Sequence, residues 1–113
     1  MTTQGIEAVF LETRNWGKTA RFLRDLGFEA EFETDHNSGL FRNGQGPYVF
    51  VAEIPADQET RTRLVLKVAD TQARPGVDAE IVTEYEQTHY GTREMTVRDP
   101  DGRLWTLQAP GEE

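Results

Sequence analysis

The chain has 113 residues, no cysteine, and a net charge of −8 from 12 basic and 20 acidic residues. That is one domain's worth of chain, enough to bury about 65% of its unfolded surface, with disulfides and thiolate metal sites excluded. The negative surface repels phosphate backbones, so nucleic acid is not an expected partner. No apolar run reaches membrane-spanning length, so no membrane association is expected.

The segment Met1-Thr2-Thr3-Gln4-Gly5-Ile6-Glu7 has no apolar core of a leader peptide, which makes a cytoplasmic protein the expectation. The acidic excess reads first as a solubilising surface, helped by the tail Gly111-Glu112-Glu113. Gathered at a cleft, the same charge would favour a cationic ligand. An apolar fraction of 36% predicts a thin core, or one completed by a partner chain.

Residues Ile6–Thr13 read as a strand with two faces: Ile6, Ala8, Phe10 and Glu12 on one, Glu7, Val9, Leu11 and Thr13 on the other. Asn15 can cap a helix over Lys18–Leu26, whose Ala20, Phe22, Leu23 and Leu26 form an apolar stripe, and Gly27 stops it. Trp16 at the helix mouth is either a plug or a stacking surface for a ligand. Phe28–Thr34 is a strand with Phe28, Ala30 and Phe32 against Glu29, Glu31 and Glu33. After the turn-forming residues 35–39 come the strand Leu40–Arg42, an Asn43-Gly44 turn, and the strand Tyr48–Ile54 between Pro47 and Pro55.

Residues 56–62 form a polar linker. Arg63–Val68 is the next strand, and sliding it back by 55 residues lays Leu64, Leu66, Val68 and Asp70 over Val9, Leu11, Thr13 and Asn15. Pro75-Gly76 leaves room for one helical turn at most over Thr71–Ala79. Ile81–Tyr85 is a strand, residues 86–92 a loop, and Arg93–Arg98 and Leu104–Gln108 a hairpin joined by Asp99-Pro100-Asp101-Gly102. The pattern is α+β: two β-α-β-β-β modules, about 5–55 and 62–110, in one domain spanning 1–113.

Three features together resemble the vicinal oxygen chelate superfamily of glyoxalase I, extradiol dioxygenases, fosfomycin-modifying enzymes and bleomycin-resistance proteins. One is Leu26-Gly27-Phe28 closing the helix, with Leu23 where that family usually has Tyr. The second is Tyr90-Gly91-Thr92-Arg93-Glu94 followed by Val97-Arg98-Asp99-Pro100-Asp101-Gly102, and the third is the repeat itself. The resemblance implies a cup-shaped mixed sheet, here with a degenerate short helix in the second module. In the family's enzymes, His and Glu side chains facing the cup hold a divalent metal that accepts two vicinal substrate oxygens.

Carried over residue by residue, those ligand positions fall on Ala8, Arg63 and Thr106, and on Phe50 or Val51 according to register. His36 sits in a turn-rich loop, and His89, five residues before Glu94, has little specificity as a ligand pair. There is no nucleophile–base motif and no phosphate loop. The expectation is a protein with no catalytic residue, metal or cofactor, whose cavity is lined by Phe10, Glu12, Trp16, Tyr48, Phe50, Arg63, Glu94, Leu104 and Thr106.

Aromatic walls and carboxylates suit a flat, aromatic or cationic small molecule. The resemblance then implies a homodimer that sequesters its ligand, as the metal-free bleomycin-resistance-like branch does in antibiotic resistance. Two alternatives stand beside it. One is a metal-dependent lyase, isomerase or dioxygenase with the unfamiliar ligands Glu12, Glu53, His89 and Glu94. The other is a structural or regulatory dimer with a vestigial cleft.

Overall fold

A computed structural model describes residues 3–111; the acidic tail residues Glu112 and Glu113 lie outside them. Among the described residues are eight strands and one helix. They are β1 (Ile6–Thr13), α1 (Trp16–Asp25), β2 (Glu29–Glu33), β3 (Ser38–Arg42), β4 (Tyr48–Glu53), β5 (Thr62–Lys67), β6 (Glu80–Gln87), β7 (Thr92–Arg98) and β8 (Leu104–Pro110). The chain resolves into two compact units, one of residues 8–62 and one of residues 63–111 together with 3–7.

The first unit has strand order β2-β3-β4-β1, with β1 parallel to β4 and the other pairs antiparallel. Its helix is fixed at both ends. At the start, Asn15 Oδ1 accepts the Lys18 N–H at 3.0 Å, and Glu53 Oε2 takes the Trp16 N–H at 2.9 Å. At the end, Phe28 N–H donates to Leu23 O and Gly27 N–H to Arg24 O, a Schellman closure that needs the positive φ of 98° at Gly27. Ala20 and Leu23 bury against Phe41 and Val51, with Leu11, Trp16, Phe28, Ala30 and Val49 packed around them.

The second unit repeats the order as β6-β7-β8-β5, with β5 parallel to β8 and the rest antiparallel. Its core is Val68, Met95, Val97, Leu107 and Ala109, joined by Leu66, Ala73, Ala79, Tyr85 and Trp105. The short helix expected over Thr71–Ala79 is reduced to isolated turns, with Ala73 N–H bonded to Asp70 O and Ala79 N–H to Gly76 O. Asp70 Oδ1 draws the Gln72 N–H into a side-chain turn, and Pro75 supplies no N–H to continue one.

Two further expectations are corrected. Strand β6 runs on to Gln87, because Glu86 and Gln87 pair with Glu94 and Arg93. Phe32 does not share the face of Phe28 and Ala30. A bulge between Ala30 and Phe32 moves the register by one residue, so Phe32 stands opposite Leu40 and is 49% exposed. Glu33 is turned to the helix by the same slip and bonds Arg24 at 3.1 Å.

Candidate functional site

In the first unit the parallel register pairs Ala8 with Tyr48, Phe10 with Phe50, and Glu12 with Ala52. Val49 and Val51 pack under α1, so these six residues occupy the opposite sheet face. The register alternative at the end of the first module is thereby resolved: Val51 is fully buried and Phe50 takes the open face. Phe10 and Phe50 stack with ring centroids 5.5 Å apart and planes 17° from parallel. Leu40 is the cross-strand partner of Phe50, and Phe32 the partner of Leu40, which extends the apolar surface.

Polar groups edge this aromatic face. The Arg42 guanidinium lies 4.4 Å from the Tyr48 ring centroid, donates to Tyr48 Oη at 3.1 Å, and is steadied by Gly46 O. Glu12 Oε1 accepts the Arg61 N–H at 3.0 Å. Trp16 stands apart from them. Its ring tilts against Phe41 at 5.8 Å within the packing beneath α1, the plug of the two readings offered above.

In the second unit, Met95 and Leu107 point into the core, and the alternation turns Glu94, Thr96, Thr106 and Gln108 to the other face. Leu104, half-buried, begins the same strand opposite Arg98. Arg63 Nη1 reaches Thr106 Oγ1 at 3.5 Å. Glu94 Oε2 gathers three donors: Tyr90 Oη at 2.6 Å, Gln108 Nε2 at 2.9 Å and Thr92 Oγ1 at 3.3 Å. Loss of water around the phenol, and then its bond to Glu94, raise the Tyr90 pKa and keep it protonated. A cavity of about 500 Å³ opens here, walled by Glu86, His89, Tyr90, Glu94 and Thr96 among others, with the His89 ring edge-on to Tyr90 at 5.1 Å.

The positions where metal ligands were sought do not suit a divalent ion. Ala8 has no donor atom, and Arg63 brings a permanent cation hydrogen-bonded to Thr106. Of the unfamiliar set, Glu53 is committed to Trp16 and to Asn37 Nδ2, bonds that lower its pKa. Among the described residues, no group of three or more His, Cys, Asp or Glu side chains could hold a metal. His36 is 84% exposed, beside Asp35.

Sequence reasoning missed Arg42, Tyr90 and Gln108. Arg42 shares its parity with Leu40 and could have been found by alternation. Tyr90 and Gln108 become visible only once Glu94 is known to face away from the core.

The backbone geometry has close counterparts. A glyoxalase/bleomycin resistance protein/dioxygenase superfamily member from Vibrio splendidus 12B01 matches with a TM-score of 0.70 at 21% identity, over 96% of this chain and 99% of that one. The chain has the vicinal oxygen chelate fold. Methylmalonyl-CoA epimerase from Mycobacterium tuberculosis shares the fold at a TM-score of 0.72 and 15% identity, over 97% of this chain and 90% of its own. The Mn(II)-bound glyoxalase from Novosphingobium aromaticivorans matches at 0.70 and 20% identity, over 98% of this chain but 41% of that larger one. No family model matches the sequence, and no curated protein matches it.

The fold accommodates an epimerase and a glyoxalase, so function must be argued from the side chains. Among the described residues, no helix is long and apolar enough to cross a membrane.

Proposed function

We propose that this protein binds a flat, aromatic or cationic small molecule without transforming it, as a cytoplasmic homodimer of the bleomycin-resistance-like, antibiotic-sequestering kind. The observation that carries the reading is the stacked Phe10–Phe50 pair on a half-buried sheet face, continued by Leu40 and Phe32 and edged by Tyr48 and Glu12. Aromatic faces supply contact area at low entropic cost, and an edge carboxylate orients a positive group. The second unit, taken by itself, has a polar face on which Arg63 bonds Thr106 and Glu94 bonds Gln108, with Leu104 on the same strand. Arg63 in place of a ligand weighs against the alternative of a metal-dependent lyase, isomerase or dioxygenase.

The test is a thermal-shift screen of chelator-treated protein against cationic aromatic natural products, bleomycin included. A ligand at 100 times its Kd adds about 2.7 kcal/mol of stability. Stabilisation by such a compound without metal supports the reading. Stabilisation by Zn, Ni, Mn or Fe alone overturns it in favour of an enzyme.

A further inference from the structure

Helix α1 buries Ala20 and Leu23 but leaves Phe22, and Leu26 at its C-cap, exposed by 61% and 56%. The two lie one turn apart, with Lys18 one turn earlier, so the three make a single ridge. A large apolar pair left in water on an otherwise charged helix marks a contact surface.

The second unit presents the converse shape. Where α1 covers Leu11, Val49 and Val51 in the first unit, the repeated sheet face of the second has, among the described residues, no helix over it but the turns between Asp70 and Ala79, with Thr3 beside them. They leave a cavity of about 320 Å³ whose walls include Leu66, Val97, Trp105 and Leu107. The internal repeat therefore shows what fits such a face: the side of an amphipathic helix. Charge agrees. In a chain of −8, α1 carries Lys18 and Arg21, with Arg24 already paired with Glu33 at 3.1 Å, against Asp25 alone. Among the described residues, the cavity rim carries Asp78, with Asp99 paired with Arg103 at 3.2 Å and Arg98 with Glu80 at 3.5 Å.

We propose that the Lys18–Phe22–Leu26 ridge of one copy docks into the apolar cavity of the second unit of another copy. The contact joins two different patches, so a closed dimer makes it twice, once in each direction. It rests on the proposed homodimer and not on the ligand.

The chain has no cysteine, so introduced thiols report without background. Phe22→Cys and Asp78→Cys proteins, mixed under mild oxidation, are expected to form the mixed disulfide faster than either self-linked species. In sedimentation equilibrium the wild type is expected to dimerise. Phe22→Glu, folded by circular dichroism because the site is exposed, is expected to weaken that dimer on the order of thirtyfold, as losing a buried aromatic anchor does. A wild type monomeric at every concentration overturns both this interface and the dimer. A dimer untouched by Phe22→Glu, with no preferred mixed disulfide, overturns the interface alone. The same result together with tight binding of an apolar dye beside Trp105 also overturns it and assigns the cavity to a small ligand.

Discussion

Phe32 faces Leu40 across β2 and β3, although two residues earlier Ala30 faces Phe41. The extra residue in β2, Glu31, changes which side of the sheet the strand's last aromatic serves. It takes Phe32 out of the packing under α1 and adds it to the face that holds Phe10 and Phe50. The surface proposed to bind a ligand is extended by a register slip.

Replacing Phe50 by Ala removes one ring of the stacked pair. The half-buried side chain contributes about 1.5–3 kcal/mol of stability through burial and stacking. Ligand affinity is expected to fall about tenfold for each 1.4 kcal/mol of stacking lost, read by calorimetric titration. Val51→Ala, on the opposite face, should lower stability by a comparable amount and leave affinity unchanged in the folded fraction.

Gly39 lies where a Cβ would come within 2.8 Å of Trp16 Cη2 and 2.9 Å of Phe32 O. The second neighbour is backbone and cannot swing away. Gly39→Ala is expected to cost about 1–3 kcal/mol, visible as a Tm lowered by roughly 4 °C per kcal/mol.

Asn15→Ala removes the side-chain acceptor of the Lys18 N–H. Such caps are worth about 1 kcal/mol, and urea unfolding should show the midpoint falling with an unchanged slope.

Asp99 accepts from Trp105 Nε1 at 2.9 Å and from the Arg103 and Asp101 backbones, and its pKa drops from 3.8 to about 2, with the Trp105 bond the largest cause. A depressed folded-state value means stability that is complete above pH 3.8 and is lost as pH falls toward 2. Asp99→Asn should flatten the acid limb of stability in that window and leave the curve's shape above it unaltered. A carboxyl titration followed by NMR should place Asp99 near 2.

The two-module plan was legible because its signals are local. Asn15 and Gly27 bracket the helix, Pro47 and Pro55 bracket β4, and the Asp99–Gly102 turn fixes the hairpin. Alternation places Phe10 and Glu12 on the face away from the α1 core, and Thr106, buried, on the face away from Leu107. The face of Phe32 is not legible in the sequence, because a bulge leaves no mark in a run whose every second residue is acidic. The strand at Glu86 and Gln87 leaves no sequence signal, because polar edge residues join a sheet through backbone pairing alone. The Tyr90–Glu94–Gln108 network needed tertiary register, since Glu94 and Gln108 lie on different strands.

The second unit is not one continuous stretch of chain: Gln4 N–H donates to Lys67 O, and Lys67 N–H to Gly5 O. Gln4 and Gly5 must wait for a partner 63 and 62 positions later, a delay of about 3–13 s at ordinary translation speed. A protease cut anywhere in residues 56–61 would leave the C-terminal fragment without Gln4 and Gly5. Expressed alone, that half would carry an unpaired sheet edge, and adding back the N-terminal fragment should restore it by complementation.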